Sequence, residues 1–140
     1  MHGAILIIAI ALLAAAGPLR PTPAPPHASR TGTLVVSWTF GGRATSDACE
    51  QLRVTTVEID VFDRSSSEIA HLEPPCASFA ATAALPEGSY QIRAVPEDYR
   101  GRLVSVPMQD RVALEAGTSK RVSFNFPSWA VARHARGALP

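Results

Sequence analysis

The sequence predicts an all-β fold, a seven-stranded antiparallel β-sandwich held by one disulfide. Three observations point there. Apolar residues recur at every second position in several short stretches, the period of a half-buried strand. Gly, Pro, Asp and Ser clusters interrupt residues 32–127 about every eight to twelve positions, the spacing of a two-sheet sandwich. No stretch after residue 16 carries a convincing helical period. A chain of 140 residues suffices for one domain with a real core and not for two.

The organising stretch is Ala84 to Val95. Leu85 closes an apolar run, and Pro86-Glu87-Gly88 supplies a turn, with proline pre-setting φ and glycine free to take a positive one. Tyr90, Ile92 and Ala94 then alternate with Gln91, Arg93 and Val95. This is an inner hairpin.

The other strands follow in order. Leu34, Val36, Trp38 and Phe40 alternate with polar neighbours, and Gly41-Gly42 stops that run. Arg43 to Gln51 is polar and is expected to be a loop. Val57, Ile59 and Val61 form the inward side of the next strand. Asp63 to Ser67 is turn chemistry, and Glu68 to Leu72 returns beside it. Ser78 to Leu85 is small and apolar; alanine is a poor strand former, so this strand depends on its neighbours. After a turn through Pro96 to Gly101, Leu103–Val106 and Met108–Leu114 are expected strands separated by Pro107. Glu115-Ala116-Gly117 turns into a last strand with Val122, Phe124 and Phe126 inward.

Residues 4–16 are apolar but short for a membrane span, with Ala14 and Ala16 at signal-peptidase spacing. The expectation is a signal peptide over 1–16 cut before Gly17, the alternative an uncleaved anchor, through which alone the protein would contact a membrane. No cysteine follows the run, which excludes a lipoprotein anchor. Residues 17–31 hold five prolines and read as a semi-rigid, extended linker. The domain then occupies 32–127. Residues 128–140, with Trp129, Val131, Arg133, His134 and Arg136, read as a basic, flexible tail. The protein is therefore expected to be exported, to the periplasm or the exterior.

A net charge of +1 gives no field that would favour nucleic acid. The charges are uneven: residues 47–98 carry ten acids against three arginines, a balance of −7, while 99–140 carry seven basic residues against two acids, a balance of +5. Two solvated faces account for this; a bipolar docking surface is the alternative.

Cys49 and Cys76 are the only cysteines. An even count in an exported chain argues for a disulfide, and both lie at the open end of the hairpin between them. Two cysteines without a histidine or second pair at ligand spacing do not make a metal site.

Catalytic chemistry is thinly represented. There is no Gly-x-Ser-x-Gly, and Ser65-Ser66-Ser67 lies in a turn without a histidine beside it. His71 with Glu73, two residues on and on the same strand face, is the one pairing a hydrolase would use; an ordinary surface pair is the alternative. Glu58, Asp60, Asp63 and Glu68 form an acidic cluster that could ligate Ca²⁺. Trp38 belongs to the core. Tyr99, flanked by Arg100 and Arg102 at a turn tip, is the candidate contact site.

The run Leu85-Pro-Glu-Gly-Ser-Tyr-Gln-Ile-Arg-Ala94 resembles the signature hairpin of carboxypeptidase-regulatory-like and transthyretin-like domains. Gly32 to Phe40, Cys49, Val54 to Val57 and Cys76 are similar to a group of small exported bacterial proteins that remain uncharacterised. The resemblance spans about 32–126. It implies an immunoglobulin-like or prealbumin-like sandwich and a non-catalytic module used for binding, spacing or stability, with no cofactor.

The functional expectation is an exported module that binds a protein or cell-envelope component. The alternative is a carbohydrate- or calcium-binding accessory domain; a small hydrolase centred on His71 and Glu73 is the third possibility.

Overall fold

The computed structural model describes residues 30–129 and 131. The expected leader, almost all of the linker and most of the tail lie outside the described residues. Among the described residues seven strands form, β1 (Thr31–Phe40), β2 (Thr56–Phe62), β3 (Glu68–Leu72), β4 (Ala80–Pro86), β5 (Gly88–Glu97), β6 (Met108–Leu114) and β7 (Ser119–Phe126). They make a three-stranded sheet ordered β4-β1-β7 and a four-stranded sheet ordered β3-β2-β5-β6.

Alternation decides what lies between the sheets. Leu34, Val36, Trp38 and Phe40 of β1, Val57, Ile59 and Val61 of β2, and Ile92 and Ala94 of β5 are each at most 2% exposed and share one cluster. Phe126 stacks on Phe40 with ring centroids 5.6 Å apart. Trp38 is a core residue, as expected, and its indole N–H donates to the Cys76 carbonyl at 3.0 Å. The Pro86–Gly88 turn forms, with the Tyr90 hydroxyl donating to the Pro86 carbonyl at 2.6 Å, but it does not close the expected inner hairpin: β4 belongs to the three-stranded sheet and β5 to the four-stranded one, so the turn carries the chain from one sheet to the other.

The structure corrects three further expectations. First, the sandwich is not wholly antiparallel: β1 and β7 pair in parallel, from Thr33↔Ser119 to Phe40↔Phe126. No hairpin joins these two strands, because the other sheet is built between them, so no turn imposes an antiparallel register. Second, Arg43–Gln51 is not all loop. Ser46–Leu52 forms the short helix α1, with Asp47 in its first turn, Ala48 and Cys49 buried, and Arg53 ending it in the left-handed region at φ 57°. Seven residues give too few turns for an isolated helix; packing and the Cys49 crosslink hold it. Third, Leu103–Val106 is not a strand. Apart from a single bridge between Glu97 and Leu103, it belongs to a loop that buries Val104 and Ser105 and exposes Leu103 and Val106.

Cys49 and Cys76 are bonded, joining α1 to a short 3-10 turn at Cys76–Ser78. The bond closes the open end of the β2–β3 hairpin, where Thr56 bridges Pro75. Val131, in the segment expected to be tail, is fully buried, so the domain's packing runs past Pro127. Among the described residues no helix is long and apolar enough to cross a membrane.

Candidate functional site

Two places on the fold gather most of the sequence-predicted residues, both towards the end where β5 finishes. The first is the outward face of the four-stranded sheet. Register places His71 and Arg93 on either side of Asp60, and Glu97 opposite Thr56, one diagonal step from Glu58. Asp60 is 3% exposed although it points away from the core. One carboxylate oxygen accepts from His71 Nδ1 at 2.7 Å and the other from Arg93 Nη1 at 2.6 Å. The same Arg93 nitrogen donates to Glu58 at 3.2 Å, and His71 Nε2 lies 3.5 Å from Glu73.

The electrostatics follow from these contacts. Burial alone would raise Asp60, but hydrogen bonds from His71 and Arg93 outweigh it and hold the carboxyl below its ordinary 3.8. The hydrogen bond to Asp60, helped by Glu73, raises His71 above 6.5 and favours the imidazolium. Glu97 is pushed up to about 7, first by burial and then by its hydrogen bond to Glu58 and the negative charge beside it.

His71 and Glu73 thus meet, as their spacing suggested, but in a different arrangement. Both ring nitrogens face carboxylates, and among the described residues no hydroxyl or thiol is hydrogen-bonded to the ring. Two carboxylates on one imidazole favour its protonated form over a neutral ring with a free base nitrogen.

The four acids named as a calcium cluster separate into two places. Glu58 and Asp60 share this face with His71, and ligand atoms of the three lie within 4.8 Å of one another. The Arg93 guanidinium occupies the cationic position between the two acids. Asp63 lies in the β2–β3 turn, where one oxygen accepts from the Ser65 N–H, the Ser65 hydroxyl and the Ser67 N–H. Those bonds, led by the Ser65 hydroxyl, hold its carboxyl below 3.8. Glu68 is exposed at the start of β3, opposite Phe62.

The second place is the loop from 98 to 107, which carries Tyr99, Arg100 and Arg102. Asp98 organises it. One carboxylate oxygen accepts from the backbone N–H groups of Arg100 and Arg102, and the other accepts Nε and Nη2 of Arg102 at 2.9 and 2.7 Å. The Arg102 bonds keep Asp98 below 3.8. Gly101, at φ 68°, completes the turn. Arg102 therefore staples the loop, whereas Arg100 lies over the Tyr99 ring, 5.1 Å from its centroid. Tyr99 is 69%, Val106 58% and Leu103 46% exposed.

Sequence reasoning missed Arg93 and Glu97 as members of the acidic face, and Leu103 and Val106 as surface residues. The outward parity of Arg93 on β5 was visible; its placement opposite Asp60 needs the strand register. Leu103 and Val106 looked like strand residues because the polar staple at Asp98 and Arg102 was not recognised.

No protein-family model matches the sequence, and no curated protein does. Solved structures do. The chain is similar to GBS52, the minor pilin of Streptococcus agalactiae, at 15% identity and TM-score 0.49 over 70% of this chain and 44% of that one. It is also similar to a candidate polysaccharide-binding protein of Bacteroides thetaiotaomicron at 12% identity and TM-score 0.49, over 67% of this chain and 46% of that one. A third is the Bacillus anthracis TIE protein, at 9% identity and TM-score 0.49, over 69% of this chain and 17% of that one. This chain spans less than half the length of each.

Proposed function

We propose that this chain is an exported, non-catalytic β-sandwich module that binds a protein or other cell-envelope component through the 98–107 loop. One observation carries the proposal: three of the five large hydrophobic residues exposed among the described residues, Tyr99, Leu103 and Val106, fall on this one stapled loop. Loops that present apolar side chains from a rigid scaffold are common contact surfaces. The Asp98 staple removes much of the ordering cost that a mobile loop would carry on binding. Export is supported by the leader-like run at 4–16 and by the Cys49–Cys76 bond, which suits an oxidising compartment. The two sheets support a β-sandwich, and the sequence from Leu85 to Ala94 is what suggests the carboxypeptidase-regulatory kind.

Site-specific photo-crosslinking in an exporting host tests the binding surface. A photoreactive residue at 99 or 106 should give a discrete adduct that weakens when Asp98→Ala loosens the loop. The same probe at 120, on β7, should not give it. Equal adducts from 99 and 120, or none from the loop, would count against the proposal.

A second reading rests on the 4.8 Å grouping of Glu58, Asp60 and His71. It makes the outward face a divalent-cation site, with Arg93 displaced on binding. A saturable rise in Tm with Ca²⁺ or Zn²⁺, abolished in His71→Ala, would favour it.

A further inference from the structure

At the opposite end of the four-stranded sheet, strand register builds a groove that neither reading above uses. Gln91 pairs with Arg111 and Ser89 with Ala113, so Ser89, Gln91 and Arg111 point outward, away from the core. The β2–β3 turn rises beside them, because Phe62 ends β2 opposite Gln91. Between turn and strands lies a cavity of about 550 Å³, lined by both segments. That volume is within the range of small-molecule sites, roughly 300–1,000 Å³.

The groove's charges are arranged for an anion. Arg64 and Arg111 both line it, and neither forms a salt bridge among the described residues. Arg64 Nη2 donates to Ser89 Oγ at 3.0 Å, which fixes the guanidinium and leaves the Ser89 O–H proton to donate elsewhere. The Arg111 side chain has no hydrogen bond among the described residues, so its fork of donors is unspent. Asp63 also lines the groove, but one of its oxygens is taken by three donors of its own turn. Two guanidiniums and one carboxylate leave a net +1, suited to a single negative charge.

The remaining wall sets the class of ligand. Ser66, Ser89 and the Gln91 carbonyl oxygen offer neutral hydrogen-bonding groups, and Ala113 a small apolar contact, while Tyr90 and Val112 point inward to the core. The Gln91 amide donates to Gln109 at 2.8 Å and orients that carbonyl. Several neutral hydrogen-bonding partners around one carboxylate-matching fork suit a uronic-acid sugar, a carboxylate among hydroxyls. We propose that this groove binds the carboxylate of an acidic saccharide, with Arg111 as its principal contact and Arg64 and Ser89 beside it.

Nuclear magnetic resonance titration of the full chain tests this, with trigalacturonate, the neutral trigalactose and inorganic phosphate as probes. Trigalacturonate should shift the amides of 64–66, 89–91 and 111–113 in a saturable way. Arg111→Gln should weaken it about tenfold, as expected for loss of a charge-assisted pair, with Arg111→Lys intermediate. Arg121→Gln, on the other sheet, should leave binding unchanged. The proposal is overturned if those amides do not move, if the neutral sugar or phosphate binds as well, or if Arg111→Gln binds like the parent.

Discussion

Replacing Glu97 by glutamine should stabilise the protein at pH 8 and do so much less at pH 5. Glu97 is 8% exposed and lies one diagonal step from Glu58, with Glu73 and His71 near by. Burial, the hydrogen bond to Glu58 and the nearby negative charges together lift its pKa from 4.5 to about 7, against a small opposing effect of His71. A carboxyl whose pKa is raised by folding binds its proton more tightly in the folded state. Its contribution to stability is thus complete below 4.5 and declines as pH climbs through about 7. A shift of that size corresponds to at most about 3 kcal/mol. Glutamine carries no charge and keeps a donor for Glu58, so the decline should largely vanish. His71 contributes in the same direction: its raised pKa gives stability that is full below 6.5 and fades as pH rises past its folded value. The variant should therefore retain a shallower slope. Urea denaturation of both proteins from pH 5 to pH 8 reads the difference directly. The expected gain is about 3 kcal/mol at pH 8 and about 1 or less at pH 5. Parallel curves would refute the proposed cause.

Two further perturbations probe the scaffold. Serine at both Cys49 and Cys76 opens a loop with a sequence separation of 27, which should cost about 3–4 kcal/mol on the chain-entropy estimate. Calorimetry should show Tm falling by roughly 15 °C or more, and a reductant should reproduce the fall in the parent protein. Gly32→Ala would place a methyl group 2.5 Å from the Glu115 carbonyl oxygen and 2.8 Å from Leu114 Cγ. Backbone must shift to admit it, and urea midpoints should report a loss of about 1–3 kcal/mol.

What could be read from the chain was what local pattern encodes. The Pro86-Glu87-Gly88 turn was legible and forms, although it links the two sheets rather than closing the expected hairpin, and the alternation through Tyr90 and Ile92 marks a strand without knowledge of any other. The same holds for Leu34 to Phe40, whose four inward residues are all buried. The cysteine pair needed only the count and the hairpin between them. The parallel pairing of β1 with β7 was invisible, because strands some 80 residues apart carry no turn to declare their direction. α1 was hidden for another reason. Ala48 and Leu52 stand four apart, the whole of a two-turn helical signal, within an otherwise polar run. At the candidate sites, side-chain parity was legible and partnership was not: Asp60 meets His71 and Arg93 only through the registers of two neighbouring strands.

The two proposed surfaces occupy opposite ends of the sandwich, and the chain's connectivity gives those ends different positions. The Arg30 carbonyl accepts from the Glu87 N–H at the β4–β5 turn, so the chain enters the domain beside the start of β5. The groove of Arg64 and Arg111 is at this end. The 98–107 loop follows the far end of β5, near α1 and the disulfide. Ten strand residues at about 3.3 Å each separate the two ends by roughly 30 Å. A protein held through residues before Arg30 would present the groove towards its point of attachment and the loop away from it. The proposals then make separable demands. Lengthening the segment before Arg30 should change access to the groove for a surface-fixed saccharide, whereas contact through Tyr99, Leu103 and Val106 should not respond.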